Sequence, residues 1–268
     1  MSETIHDAPL AAPARRSTSD SFVLPVWSLF QRELARFFRQ PNRILGSLGT
    51  PLIFWLLLSS GLGPALRADH AGSDPARFFL PGAIALVVLF TSIFSNLSLI
   101  EDRREGFLQS VLVAPISRIA IVAGKVLGGA AIAWLQGMLL LMLGAISGVR
   151  IPWTSVAPAA GAIALLALGL SALGFALAWR FDSVQAFHGI MNVVLMPMWV
   201  LSGAAFPIPS SHIILRTLAA INPMTYGLAL VSRTMGAATS VSTSTALIVT
   251  LAFTAVASLA AARLIRSR

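Results

Sequence analysis

Apolar and polar positions fall along this chain in long blocks. Six apolar segments, 44–62, 79–100, 119–146, 156–177, 184–201 and 246–264, each approach or exceed the roughly 20 residues that carry a helix across a bilayer core of about 30 Å. Segment 184–201 is the shortest. Pro51, Pro81 and Pro197 lie inside these segments, where neighbouring helices can satisfy the carbonyls they free. The pattern predicts an all-α polytopic membrane protein with six transmembrane helices.

The longest charged interruption lies between the second and third segments, at 101–118. Residues 101–105 are all charged; unpaired, they cannot sit in hydrocarbon, so they mark a water-facing edge. From Glu105 the pattern turns amphipathic. Phe107, Leu108, Val111 and Leu112 recur at helical spacing, with Gln109 and Ser110 opposite. Pro115 ends this short helix by disfavouring helical geometry at Ala114, and Ser117 is placed to cap the next one. A short helix with an exposed apolar ridge is expected. An ordinary loop resting on the lipid interface gives the same pattern.

Before the first span, Arg32, Arg36, Arg39 and Arg43 step by four, three and four, while Trp27, Phe30, Leu34 and Phe38 step by three, four and four. At about 100° per residue the two stripes occupy opposite sides of one helix, as suits a helix lying in the membrane interface. A calmodulin-like or nucleic-acid partner would need the same stripe. Residues 1–21 are polar, with Pro9, Pro13 and a Ser/Thr cluster, and read as a disordered tail rather than a signal peptide.

Residues 202–235 are too apolar for plain exposed loop. Pro207 and Pro209 break them, Ser210 or Ser211 can cap a helix through Ile221, and Asn222-Pro223 breaks again before a second helix from Thr225 to Met235. At about 18 Å each, these helices are too short to cross. They are expected as half-buried or re-entrant elements that either line a path or cap the bundle.

Composition agrees with this. Of 268 residues, 56% are hydrophobic and 11% charged, with mean hydropathy +0.82. The net charge of +9 resides in 18 Arg and one Lys gathered at the ends of apolar segments, which fits orientation signals and anionic lipid better than nucleic acid. Fourteen basic residues fall on the side of the N-terminus, the 101–118 loop, Arg180 and the tail, against five (Arg67, Arg77, Arg150, Arg216, Arg233) on the other. The positive-inside bias puts both termini in the cytoplasm.

Catalytic chemistry is sparse. There is no Cys, and His6, His70, His188 and His212 show no ligand spacing, so no metal site is expected. The only lysine, Lys125, does not stand in a phosphate-cradling G-x-x-x-x-G-K-[ST] motif. The predicted spans hold no Asp or Glu, which counts against an ion-coupled carrier. Asn96, Gln136 and Asn192 are candidates for helix–helix hydrogen bonds or for lining a pathway. Gly124 and Gly128 form a small-xxx-small step that lets another helix approach closely.

Arg104-Glu105-Gly106-Phe107-Leu108, then Leu112, Pro115-Ile116-Ser117-Arg118 and Gly124-Lys125, resemble in order the loop between spans two and three of ABC-2 type transporter permeases. Phe107 departs from the small polar residue common after that Gly. Leu201-Ser202-Gly203, Phe206-Pro207 and Asn222-Pro223-Met224-Thr225-Tyr226 resemble the family's pattern between spans five and six.

The resemblance implies a coupling helix that docks on a separate ATPase subunit, with Arg104, Glu105, Gly106, Phe107, Leu108, Leu112, Pro115 and Arg118 making or shaping the contact. It makes the helix carrying Trp27, Arg32, Arg36 and Arg39 a connecting helix. It places Phe206, Pro207, Asn222, Pro223 and Tyr226 at the outer end of the path. Three parts are expected: a tail at 1–21, the connecting helix at 22–43 and a six-span domain at 44–268. The implied protein is an inner-membrane exporter subunit without enzyme activity or bound cofactor of its own. ATP and Mg would sit on the partner ATPase, and a second copy or related permease would complete the pair. The preferred cargo is a drug or small amphipathic molecule, with polysaccharide or lipid-linked saccharide as the alternative. A secondary carrier or a membrane scaffold is the reading from another class.

Overall fold

A computed structural model describes residues 22–61, 75–113, 116–205, 212–237 and 239–266. These residues are helical, with no strand among them. In chain order the helices are α1 (Val23–Phe38), α2 (Pro41–Gly61), α3 (Pro75–Phe94), α4 (Leu97–Arg104), α5 (Phe107–Val113), α6 (Arg118–Ile146), α7 (Trp153–Ala178), α8 (Val184–Trp199), α9 (Ile213–Ile221), α10 (Pro223–Thr234) and α11 (Thr243–Arg266). A π-helical turn, Val200–Ala204, extends α8.

Six stretches are long and apolar enough to cross a membrane: Ile44–Gly61, Pro75–Arg104, Arg118–Ile146, Trp153–Ala178, Val184–Ala204 and Thr243–Arg266. All six predicted segments are present. The second differs most. It continues past Ile100 to Arg104, so the charged run is the last turn of a 30-residue stretch rather than a loop. That stretch is about 45 Å long and overshoots a hydrocarbon core of about 30 Å.

The stretch formed by α3 and α4 is the bundle's axis: 89% of its most apolar window is buried, against 11% for that of α2. α2, α6 and α7 pack around α3, and α11 packs on α7 and α10. The Trp55 indole N–H ties α2 to α3 through the Ala76 carbonyl at 2.9 Å. The Trp199 indole N–H ties α8 to α3 through the Gly82 carbonyl at 2.8 Å.

α1 lies along α6, and the Gly124/Gly128 step is what permits the approach. A Cβ at Gly124 would stand 2.7 Å from Leu29 Cβ, and one at Gly128 would stand 2.8 Å from Glu33 Cβ. The face of α1 that is buried is Leu29, Glu33 and Phe37, which lies between the two predicted stripes. Trp27 and Phe38 of the apolar stripe are exposed.

At the opposite end of the bundle, α9 and α10 are two short helices that meet at 85°. The Asn222 side chain caps α10 by accepting from the Met224 N–H at 3.0 Å, and Pro223 occupies the first helical position. The second helix therefore starts at Pro223, two residues earlier than predicted. His212 caps α9, while Ser210, Ser211, Phe206 and Pro207 lie outside the described residues.

Candidate functional site

Opposite charges meet where α1, α4 and α6 converge. The Lys125 ammonium donates to Glu33 Oε1 at 2.7 Å, to Asp102 Oδ2 at 2.7 Å and to Ser98 Oγ at 3.1 Å. Ser98 Oγ donates in turn to Glu33 Oε2 at 2.9 Å. Arg32 grips the Asp102 carboxylate with both terminal nitrogens, at 2.8 and 3.0 Å, and Arg36 Nη2 adds a third bond at 3.0 Å. Arg36 Nη1 lies 3.6 Å from Glu101.

The arrangement follows from helical geometry. Glu33 stands one turn from both Leu29 and Phe37, so burying that face buries its carboxylate. Lys125 sits on the α6 face that receives α1, between Gly124 and Gly128. Asp102 falls one turn beyond Ser98 on α4. Glu33, Asp102 and Lys125 are 5%, 0% and 3% exposed, so each needs its partners. With Arg32, Arg36 and Glu101 included, three cations face three anions. Burial opposes the charge of Arg32, but the hydrogen bond and field of Asp102 outweigh it and hold the guanidinium pKa above its ordinary range.

Arg32 also reaches α5. Its guanidinium carbon lies 3.7 Å from the centre of the Phe107 ring, a cation–π contact. One side chain thus joins the short helix to the charge cluster. Gly106 makes the turn between α4 and α5 with φ +78°, a conformation that favours glycine.

Two further arginines tie this end of the bundle together. Arg103 donates to the carbonyls of Trp179 at 2.9 Å and Phe181 at 3.3 Å, and to Asp182 at 3.0 Å, closing the end of α7. Arg118 donates to the Ile265 carbonyl at 3.0 Å at the end of α11. Both place a cation against helix C-terminal carbonyls, where the macrodipole favours it.

Several sequence expectations change here. The ridge of α5 is not exposed: Leu108 is 3% exposed, and Val111 and Leu112 rest against the core. The outward residues of α5 are Gln109, Ser110 and Val113, with Arg104 and Glu105 beside them. Arg32 and Arg36 turn inward to Asp102, whereas Arg39 is exposed. The 101–105 run is not wholly water-facing, because Asp102 is buried. Ser117 occupies the N-cap of α6 but makes no side-chain cap bond, and Pro115 lies outside the described residues.

Two of the three candidate amides are interhelical. Gln136 donates to Ser47 Oγ at 2.6 Å and accepts from Thr91 Oγ1, joining α2, α3 and α6. Asn96 donates to the Ser92 and Ser171 carbonyls, joining the second span to α7. Asn192 is exposed on α8, on the same side as Gln185 and His188. The sequence reading missed Glu33, Ser98, Asp102 and Arg103. A signal existed: Glu33 is the only acid in α1 and Lys125 the only lysine in the chain, each on an otherwise apolar face.

Comparison with known proteins gives this geometry its setting. The family described as ABC-2 type transporter matches residues 25–235. The chain is 26% identical to "Putative transport permease ycf38" of Cyanophora paradoxa, covering 78% of this chain and 73% of that one. It is 28% identical to "Nodulation protein J" of Rhizobium leguminosarum bv. viciae, covering 72% and 74%. It is 31% identical to "Probable multidrug ABC transporter permease YbhR" of Escherichia coli (strain K12), over 56% of this chain and 41% of that protein. The matched region runs from the start of the α1 face that carries Glu33 to the end of α10, and so contains the whole charge cluster. The chain is a multi-pass membrane protein and belongs to the ABC-2 type transporter family.

Proposed function

We propose that this chain is the membrane-spanning subunit of an ATP-driven exporter and that α5 receives force from a separate ATPase subunit. The observation that carries this reading is Arg32, whose guanidinium lies over Phe107 of α5 and grips Asp102 at the end of the second span. A push on α5 reaches α1, α4 and α6 together through that residue. Arg104, Glu105, Gln109, Ser110 and Val113 form the outward surface for the ATPase, and Gly106, Phe107, Leu108, Leu112 and Arg118 set its position. ATP and Mg belong to the partner, and both termini and α5 face the cytoplasm of a cell with this chain in its inner membrane.

The cargo is a small amphipathic or lipid-like molecule, with drug efflux preferred; the multidrug description of YbhR supports this. Asn192, Gln185 and His188 form an exposed polar stripe on a membrane-spanning helix. Polar groups there are costly in lipid, which supports a path shared with a second copy or a related permease. Tyr226, Asn222 and Pro223 stand at the outer end of that path.

The test is co-purification with the ATPase, followed by reconstitution in liposomes with an amphipathic dye or a lipid-linked saccharide. ATP-dependent dye export supports the reading. Saccharide export would move the cargo to the other class. Uphill transport by this chain alone on a proton gradient would make it a secondary carrier, and ATPase binding without transport would make it a scaffold.

A further inference from the structure

The second span is interrupted between α3 and α4 at Ser95 and Asn96. There the Asn96 N–H bonds to the Ile93 carbonyl at 3.2 Å and the Leu99 N–H to the Asn96 carbonyl at 3.0 Å. Both are tight, three-residue bonds. In an uninterrupted α-helix the Asn96 N–H would bond to the Ser92 carbonyl. That carbonyl is taken instead by two side chains, Asn96 Nδ2 at 2.9 Å and Ser95 Oγ at 2.9 Å. A tight turn in mid-helix, with side chains in place of the main-chain bond, is the form a hinge takes.

The neighbouring helices α6 and α7 hold this buried turn closely from two sides. Asn96 Nδ2 also donates to the Ser171 carbonyl of α7 at 3.2 Å, and Ser171 Oγ donates to the Val126 carbonyl of α6 at 2.9 Å. The neighbouring helices carry glycine where they approach: a Cβ at Gly174 would lie 2.8 Å from Asn96 Nδ2, and one at Gly129 would run into Ser95 Oγ. Asp102 is six residues further on, about 9 Å along the helix. α4 is therefore fastened to α1 and α6 by the charge cluster at one end and joined to α3 at the other through a tight turn in which side-chain bonds replace one main-chain bond.

We propose that Ser95 and Asn96 are positioning residues for transport: a hinge that lets α4, carrying α5 and the charge cluster, tilt against α3. This rests on the exporter reading for its role in transport, but the hinge itself is a property of this chain. Asn96→Leu removes the amide and lets the Asn96-position N–H return to the Ser92 carbonyl, straightening the span. Ser95→Ala removes one of the two substitute bonds with little change in volume and guards against misfolding of the first variant.

The chain contains no Cys, so paired spin labels can be placed cleanly at Val113→Cys on α5 and Trp153→Cys at the start of α7, both exposed positions. Electron–electron distance measurement on the chain in lipid nanodiscs should give a broad distribution for the parent. Asn96→Leu should narrow it to about half the width, and Ser95→Ala should narrow it less. In liposomes with the ATPase, cargo moved per ATP should fall about tenfold in Asn96→Leu while hydrolysis is retained. Distributions that superimpose on the parent in both variants, or an unchanged ratio of cargo to ATP, would overturn the hinge. A parent chain that couples to no ATPase would sink the exporter reading, and the distance measurement would still decide the hinge.

Discussion

Lys125 and Glu33 stand 2.7 Å apart across the α1–α6 contact although 92 residues separate them in sequence. Each is nearly sealed from solvent, and each occupies an otherwise apolar helix face. Their pairing fixes where along α6 the first helix settles. A buried pair of this kind is weak evidence for net stability, because desolvating the charges offsets their attraction; it is stronger evidence for a defined register.

Removing Lys125 strands the buried Glu33 carboxylate, while Asp102 keeps Arg32 and Arg36. Lys125→Met should destabilise the protein by about 3–5 kcal/mol, read as a lowered thermal midpoint in detergent. Adding Glu33→Gln to it should restore part of the loss, since the second change removes a stranded carboxylate. Additive losses in the double variant would contradict the pairing.

Arg32→Lys keeps the charge and discards the fork. Bidentate contact with Asp102 needs a guanidinium, and the contact over Phe107 is made by the same group. The expected cost in stability is small, about 1 kcal/mol, because Arg32 is partly exposed. Stimulation of the ATPase by cargo should nevertheless fall, measured by phosphate release with and without the transported dye.

Gly106→Ala tests the turn before α5 in isolation. Nothing stands within 4 Å of the added Cβ, so any effect comes from φ +78° alone. A loss of about 1–2 kcal/mol is expected from the left-handed backbone, seen in thermal unfolding. Equal stability would mean that the turn relaxes freely.

The seat of α1 can be probed by volume. Gly128→Leu would drive a side chain into Glu33, whose Cβ lies 2.8 Å from the position of the added Cβ. It should loosen α1 and cost about 1–3 kcal/mol. Gly161→Ala on α7, where nothing lies within 4 Å, should be neutral or mildly stabilising. Protease cleavage within α1 in the first variant and not in the second is the expected readout.

The six spans were legible because hydrocarbon imposes a length and a composition that sequence displays directly. The two short helices α9 and α10 were legible because Asn222-Pro223 is a cap followed by a first-position proline. The charge cluster was not. Glu101 to Glu105 read as a boundary, since charges stop a span unless they are paired, and the partners of Asp102 lie 70 and 23 residues away, at Arg32 and Lys125. Periodicity correctly gave α5 two faces but could not say which one meets the bundle. Leu108 faces inward because the ends of α4, α7 and α11 converge behind it, which is tertiary information. Asn96 and Gln136 were recognisable as polar groups in apolar spans, whereas Asn192 carries the same signal and stays exposed.

The role given to Arg32 is tested most directly by counting cargo against ATP. In liposomes holding the ATPase and this chain, Arg32→Gln should leave hydrolysis without cargo close to the parent rate and lower the cargo moved per ATP by about tenfold, because α5 stays seated while its link to Asp102 is cut. A ratio equal to that of the parent would show that force reaches the spans by another route.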